Sequence, residues 1–516
     1  VLLGRIHSFA LFTKDIRLYL DKTMGLSSGD ERDLAQAGWG VVFSQSEPPE
    51  QLEALRSALK PLLDLRREQA TRFAENRYRE YCGKLGYREG DSKRKFLERV
   101  GVTGGEVNPD DMPYYLLIVG DPRDIPYEFQ CLLDVERAVG RLWFDSIEEY
   151  DRYARRVVAA ESAMAARKRQ AVFFAPRHIG DVESCLCGDH LIEPIAAYMS
   201  RACKGWKIYK TLGDKASKEQ LASIMGGPEP PDFLFTAGHG MVFHSGDALQ
   251  LLHQGAPVCR EWPGPSWTKR VPVDFYFSSD DVPSMTGSLV AFFFNSFSGG
   301  TLPGRSNDLS PVATVLHPFI AALPRALLGR GEGGALAVIG HVDLAWTYSF
   351  QTPSPEAPIE RLTQFKQIIA GILRGYPVGA AMEIFGLRYA ALATDLSDEI
   401  LALQRGNVPD DETLFRLWLC QDARNYIVLG DPAVRLVPSD AEPFVSAEPG
   451  SLPSPPPREE ARMSGPPILY FSGLNSETGA YANSPATPRE LACLAQKTLP
   501  GPQEAETLEE WRRAAL

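Results

Sequence analysis

The chain has 516 residues, of which 44% are hydrophobic and 23% charged, and its formal net charge is −12. That is material for two to four domains with a large core, and the acidic balance argues against a nucleic-acid or anionic-membrane partner, which would favour a basic face. No apolar run approaches the roughly 18 residues of a membrane helix, the opening "VLLGRIHSFALF" lacks the charge–apolar–cleavage order of a signal peptide, and the eight cysteines are scattered, so a reduced, cytoplasmic chain is expected.

In chain order, residues 1–110 read as a mostly helical region. "PPEQLEALRSALKPLLDLRREQATRFAENRYREYCGKL" (Pro48 to Leu85) carries apolar residues at helical spacing with charges between them. Residues 111–167 read as a first α/β subdomain, with the strand "YYLLIVGD" (Tyr114 to Asp121) and a helix from about Ser146 to Arg167. Residues 168–437 then alternate strands and helices. The strands are "QAVFFAP", "WKIYKTL", "DFLFTAGHG", "SLVAFFFNS", "GALAVIGHVD" and the closing "YIVLGDPAVRLV". Near-continuous apolar strands between helices imply an α/β fold with a mainly parallel sheet covered on both faces. Residues 438–467 are rich in Pro, Ser and Glu and read as a flexible linker. The last segment, 468–516, opens with "ILYFSGLNSETGAY". A strand–helix piece of about 50 residues is too small for its own core. It is expected to dock on the main body, pairing its strand with a sheet edge near the N-terminal helices and burying Leu469 and Phe471.

Ligands of such sheets bind beyond the carboxyl ends of the strands. Two of those ends carry chemistry. "FLFTAGHG" delivers His239 followed by Gly240, and "AFFFNSFSGGT" delivers Ser296 into a small, glycine-rich turn. An imidazole can carry a proton, and a bare glycine N–H can approach a developing oxyanion closely. A lone strand-end histidine is more often structural; the second reactive tip is what raises this one to a candidate.

"FTAGHG", "AFFFNSFSGGT", "GALAVIGHVDLAW" and "NYIVLGDPAVRL", in that order, resemble the gingipain-family cysteine peptidases, relatives of the caspase-fold enzymes, and among them the large multidomain bacterial type. The resemblance runs from about Asp110 to Val437. It implies a caspase-like fold and an endopeptidase that cuts after Arg or Lys in a peptide or protein substrate, without cofactor or metal. An activating protein partner or an upstream protease, and a role in regulated proteolysis or antiviral defence, fit proteins of this kind. On that match His239 is the catalytic histidine, and Ser296 stands where the family has its catalytic cysteine. The backbone N–H groups of Gly240 and Ser296 would hold the oxyanion. Asp189 would lie at the base of the primary specificity pocket, with Trp346 as one wall. His178 and Asp181 fall near the family's histidine-supporting glutamate. The serine admits three readings: an engineered Cys-to-Ser replacement, which is preferred, a natural pseudoenzyme, and a working serine enzyme. A non-catalytic scaffold or sensor module that binds peptides is the alternative function. Cys131 and Cys259 read as core or loop thiols.

Overall fold

A computed structural model of the chain describes residues 29–102, 107–164, 167–303, 317–331, 333–352, 359–396, 411–438 and 473–475. Its strands are β1 (Trp39–Phe43), β2 (Tyr78–Tyr81), β3 (Tyr115–Val119), β4 (Ala138–Leu142), β5 (Gln170–Ala175), β6 (Lys207–Leu212), β7 (Phe233–Ala237), β8 (Gly240–Val242) and β9 (Ser288–Phe294). They continue with β10 (Gly300–Thr301), β11 (Phe319–Ile320), β12 (Gly334–His341), β13 (Gln351–Thr352), β14 (Ile359–Glu360), β15 (Tyr426–Gly430) and β16 (Gly473–Asn475). Ten of them form one sheet in the order β2-β1-β3-β4-β15-β12-β9-β7-β5-β6. Every pairing in it is parallel except β12 with β15. That one antiparallel seam joins two parallel halves.

The strands of β1, β3, β4, β5, β7, β12 and β15 are buried at every residue. This is what helices on both faces of a parallel sheet require, and it is why these strands read as unbroken apolar runs. The helix Pro49–Ala70 turns Leu55, Leu59, Leu62 and Leu63 inward from one stripe. The helix Ile147–Ser162 begins with a capping box, in which Ser146 and Glu149 satisfy each other's end of the chain. One hydrophobic cluster runs from Leu34 to Val437, so the stretches 1–110, 111–167 and 168–437 share a core.

Two expectations change. Within the described part of 1–110 helices predominate, but the region also supplies β1 and β2 to the main sheet. "WGVVF" is too short and too uniformly apolar to show a period, and the helix beside it dominates the pattern. The C-terminal segment also pairs elsewhere than expected. β16 lies parallel on β8, with Gly473 opposite Gly240, rather than near the N-terminal helices. β8 stands outside the ten-stranded sheet, so its edge is open to a partner. Leu469, Phe471 and the linker residues beyond Pro438 lie outside the described residues.

Candidate active site

The site is assembled where β7 and β9 leave the sheet side by side. Their register pairs Ala237 with Phe294, so two residues later both chains have reached His239 and Ser296. Asn295 binds the two exits together. Its side-chain amide donates to the carbonyls of Gly238 (2.8 Å) and His239 (3.1 Å), and its Oδ1 accepts from the Thr236 hydroxyl (2.9 Å). Gly240 packs directly on the serine's backbone. A Cβ there would come 2.1 Å from the Ser296 carbonyl oxygen and 3.0 Å from its nitrogen, so glycine is the residue that allows this approach.

After Ser296 the chain turns sharply. Phe297 holds a left-handed conformation (φ 60°), which a non-glycine residue adopts at a cost. The turn is fixed by Phe297 N–H donating to Asp343 O (2.9 Å) and Gly299 N–H donating to His341 O (2.9 Å). Ser298 belongs to this framework: its hydroxyl donates to Phe293 O (2.9 Å) and accepts from His341 N–H (3.1 Å). Of the two serines in "NSFS", Ser298 is therefore structural. Ser296 Oγ accepts from the N–H of Ala345 (3.0 Å), which brings the following Trp346 beside the site. Trp346 is half-buried and stacks on Trp418 at 5.8 Å between ring centroids.

His239 is held from the other side. Its Nε2–H donates to Asp181 Oδ2 at 2.9 Å, and neither side chain is exposed at all. Asp181 gets there because it caps the short helix Val182–Leu186, accepting from Ser184 N–H (3.2 Å) just beyond the tip of β5. Burial works against both charges. It is outweighed for Asp181 by the charge of His239 and by hydrogen bonds, which hold its carboxyl well below the usual range. For His239, burial is outweighed by the Asp181 carboxylate, and the imidazole pKa rises. His178 braces the cluster: its Nε2–H donates to Cys259 O (3.0 Å), and its Nδ1 lies 3.7 Å from Asp181. Trp262 packs edge-on against both imidazoles, at 4.7 Å and 5.5 Å, and keeps water from the pair.

Two residues were missed in the sequence. Asn295, a lone amide ending an apolar strand, could have been read as a staple. Glu183, two positions after Asp181, is 3% exposed. Burial, and then the negative charge of Asp181, push its carboxyl up to about 7. Ligand atoms of Asp181, Glu183 and His239 lie within 4.8 Å of one another, the composition of a small metal site. Two of them are already hydrogen-bonded to each other, and Glu183 is buried against that pair.

Asp189 stands apart. It sits on the wide turn of helix Cys187–Ile192 with its side chain 51% exposed, and it pairs with Arg177. Its described contact is this ion pair, so a substrate guanidinium would have to exchange with Arg177. Cys131 and Cys259 are buried, and burial raises both pKa values, to about 12 for Cys131, as core thiols require.

A mostly parallel α/β sheet presenting histidine, hydroxyl and carboxylate at neighbouring carboxyl tips is a hydrolase-like arrangement. No protein-family model matches the sequence, and no curated protein matches it. Among solved structures the chain is similar to the Arg-specific cysteine proteinase gingipain R (RgpB), at 13% identity and a TM-score of 0.44, covering 80% of each chain. It is also similar to the complex of Porphyromonas gingivalis RgpB pro- and mature domains, at 14% identity and 0.43, over 78% of this chain and 79% of that one. A third structure, described as a protease, aligns at 13% identity and 0.46 over 81% of both. Among the described residues, no helix is long and apolar enough to cross a membrane.

Proposed function

We propose that the chain is a cysteine-type endopeptidase framework whose nucleophile position carries Ser296, and that a cysteine there cleaves peptides after Arg. The observation that carries this reading is the Asp181–His239 pair standing at the strand tip beside Ser296. With Nε2 committed to Asp181, the chemistry of the ring resides in Nδ1. Burial lowers the imidazole pKa, and the Asp181 carboxylate outweighs it, so the charged ring is favoured relative to a free histidine. A protonated ring cannot take the proton of a hydroxyl, so Ser296 is left unactivated. The same ring beside a thiol, whose pKa is about 8.5 when free, stabilises the thiolate. The thiolate attacks the scissile carbonyl, and His239 gives its proton to the leaving amine. Water then releases the acyl group. The backbone of Gly240 packs on that of residue 296, and their N–H groups are the candidates to hold the oxyanion.

Cleavage after Arg rests on Asp189. Its partner Arg177 already shows that it binds a guanidinium, and a half-exposed pair of this kind is held by about 0–1 kcal/mol. A substrate guanidinium can therefore exchange with it. The second reading is a module that binds peptides without cutting them, favoured by the hydroxyl at position 296. A fluorogenic Arg-peptide assay separates the two. Turnover by the Ser296→Cys protein and none by the Ser296 protein is the expected result. Silence in both supports the binding module.

A further inference from the structure

The strand that follows the histidine has two edges, and they are filled differently. On one side β8 joins its own downstream chain. Met241 N–H donates to Ala256 O (2.9 Å), Gly255 N–H donates to Met241 O (2.9 Å), and Val258 N–H donates to His239 O (2.9 Å). On the other side it is covered by a segment that arrives from far along the sequence. β16 pairs Gly473 with Gly240, Leu474 with Met241 and Asn475 with Val242, all in parallel. We propose that this edge of β8 is a strand-docking site, that its occupant is the chain's own Gly473–Asn475, and that the docked strand closes the His239–Ser296 site. The proposal rests on reading that site as a peptidase centre.

Three observations support it. First, the contact begins at Gly240, the residue next to His239, so whatever lies on this edge lies at the mouth of the site. Second, His239 and Ser296 are both 0% exposed, and Gly240, Met241 and Val242 are buried with them. A peptide cannot bring a carbonyl to groups that have no exposure, so an element must move before substrate enters. Third, the elements around the site are held very unequally. β7, β9 and β12 are internal strands of the ten-stranded sheet. β16 is three residues long and touches only β8 in the sheet pairing. A pair of that length is marginal by itself. It is maintained because the chain between Pro438 and Gly473 tethers it, at an effective concentration on the order of millimolar. An edge with open N–H and C=O groups attracts a strand, and a short tethered strand satisfies it while remaining exchangeable.

The test reads access and does not need catalysis. In the Ser296→Cys background, the rate of alkylation at position 296 by iodoacetamide is measured by peptide mass mapping, with half-buried Cys82 as the internal reference. Two variants interrupt the ladder: Leu474→Pro, and the double Gly473→Pro, Asn475→Pro. One or the other removes the N–H groups that β16 uses, and Leu474→Ala retains them all as the control. Losing one or two backbone hydrogen bonds shifts the docked fraction by about tenfold, so alkylation at 296 is expected to rise by about that factor. Amide exchange at Val242 is expected to quicken in the same variants, while Met241, whose N–H donates to Ala256 O on the opposite edge, serves as the control. A synthetic peptide of residues 468–476, supplied at about millimolar concentration, is expected to restore the slow rate. Unchanged alkylation and exchange in both proline variants would overturn the proposal. So would slower alkylation, which would make β16 a brace for the site. If the proline variants open the site and yet no cysteine-bearing protein cleaves an Arg peptide, the docking stands and the peptidase reading falls.

Discussion

Each half of the sheet contains a buried ionic cluster, and the two are built to opposite ends. In the first half, Arg66 lies between Asp431 (2.7 Å) and Glu161 (2.5 Å). Neighbouring groups add hydrogen bonds to the two ion pairs. Asp431 Oδ1 accepts from Trp39 Nε1–H and Ala433 N–H, and Gln69 accepts from Arg66 and donates to Glu161. These bonds tie the helix Pro49–Ala70 to the helix Ile147–Ser162 and to the chain after β15. In the second half, Asp181 and His239 are equally buried, and Glu183 beside them has its carboxyl pushed up to about 7, chiefly by burial. An arginine compensated by two carboxylates makes a clamp, whereas an imidazole and a carboxyl with shifted pKa values make a set that can accept or give a proton.

The comparison is broken most severely at the clamp. Arg66→Met strands two carboxylates in the core and is expected to cost about 3–5 kcal/mol. Urea unfolding of the full chain measures it. A loss below about 1 kcal/mol would mean that water reaches Asp431 or Glu161 and that the clamp is not sealed.

The two clusters should also respond oppositely to pH. Burial opposes the charge of Glu161, but Arg66 outweighs it and lowers its pKa. Its contribution is therefore present above the unfolded value near 4.3 and is lost as pH falls through the folded one. Glu183 is raised to about 7, so its contribution is full below about 4.3 and is lost as pH rises through about 7. His239 is raised as well, and its contribution fades above about 6.5 as pH climbs through its folded value. Asp134 and Glu383, which burial pushes to about 7, add to the same decline. Stability should fall between pH 5 and 8 by about 2–3 kcal/mol for each of these carboxyls, and Glu183→Gln should remove one such share of the slope. An unchanged slope in Glu183→Gln would show that Glu183 does not titrate in this range.

At the site, function should suffer more than stability. Asp181→Asn keeps the shape and removes the charge that holds His239. In the Ser296→Cys protein it is expected to lower kcat/KM by about 10²–10⁴ while costing only about 1–3 kcal/mol of folding energy. Measuring both on one sample decides the matter. A large stability loss with little change in turnover would make Asp181 another clamp.

Much of this was legible in the sequence, for identifiable reasons. The buried strands of the second half announce themselves as apolar runs, and their polar tips stand out against them. Hence His239, Gly240 and Ser296 stand out in the sequence as candidates, and the structure brings their backbones together at the ends of β7 and β9. What was not legible depends on register or on charge partners. β1 is five residues long and has no period. Glu183 looks like an ordinary first-turn acid of a helix, and only burial distinguishes it. The place where β16 docks is decided by an open edge on β8, which no local pattern reveals. Asp189 shows the converse: a residue matched by motif, whose environment is set by Arg177 from another element.

That exposed pair gives the smallest effect and the sharpest contrast with the buried clusters. Arg177 and Asp189 are 35% and 51% exposed, so water screens their attraction. Arg177→Ala should change folding stability by less than about 1 kcal/mol. Its effect on substrate should be larger than its effect on folding, because it releases the carboxylate that the proposed specificity needs. In the Ser296→Cys protein, Arg177→Ala is expected to lower KM for Arg peptides by a few-fold, within what a surface ion pair can contribute, with kcat unchanged. Asp189→Ala should raise KM and erase the preference for Arg over neutral side chains. If Arg preference survives Asp189→Ala, the guanidinium is read elsewhere, and the Arg177–Asp189 pair is only a tie between the tip of β5 and the helix beside it.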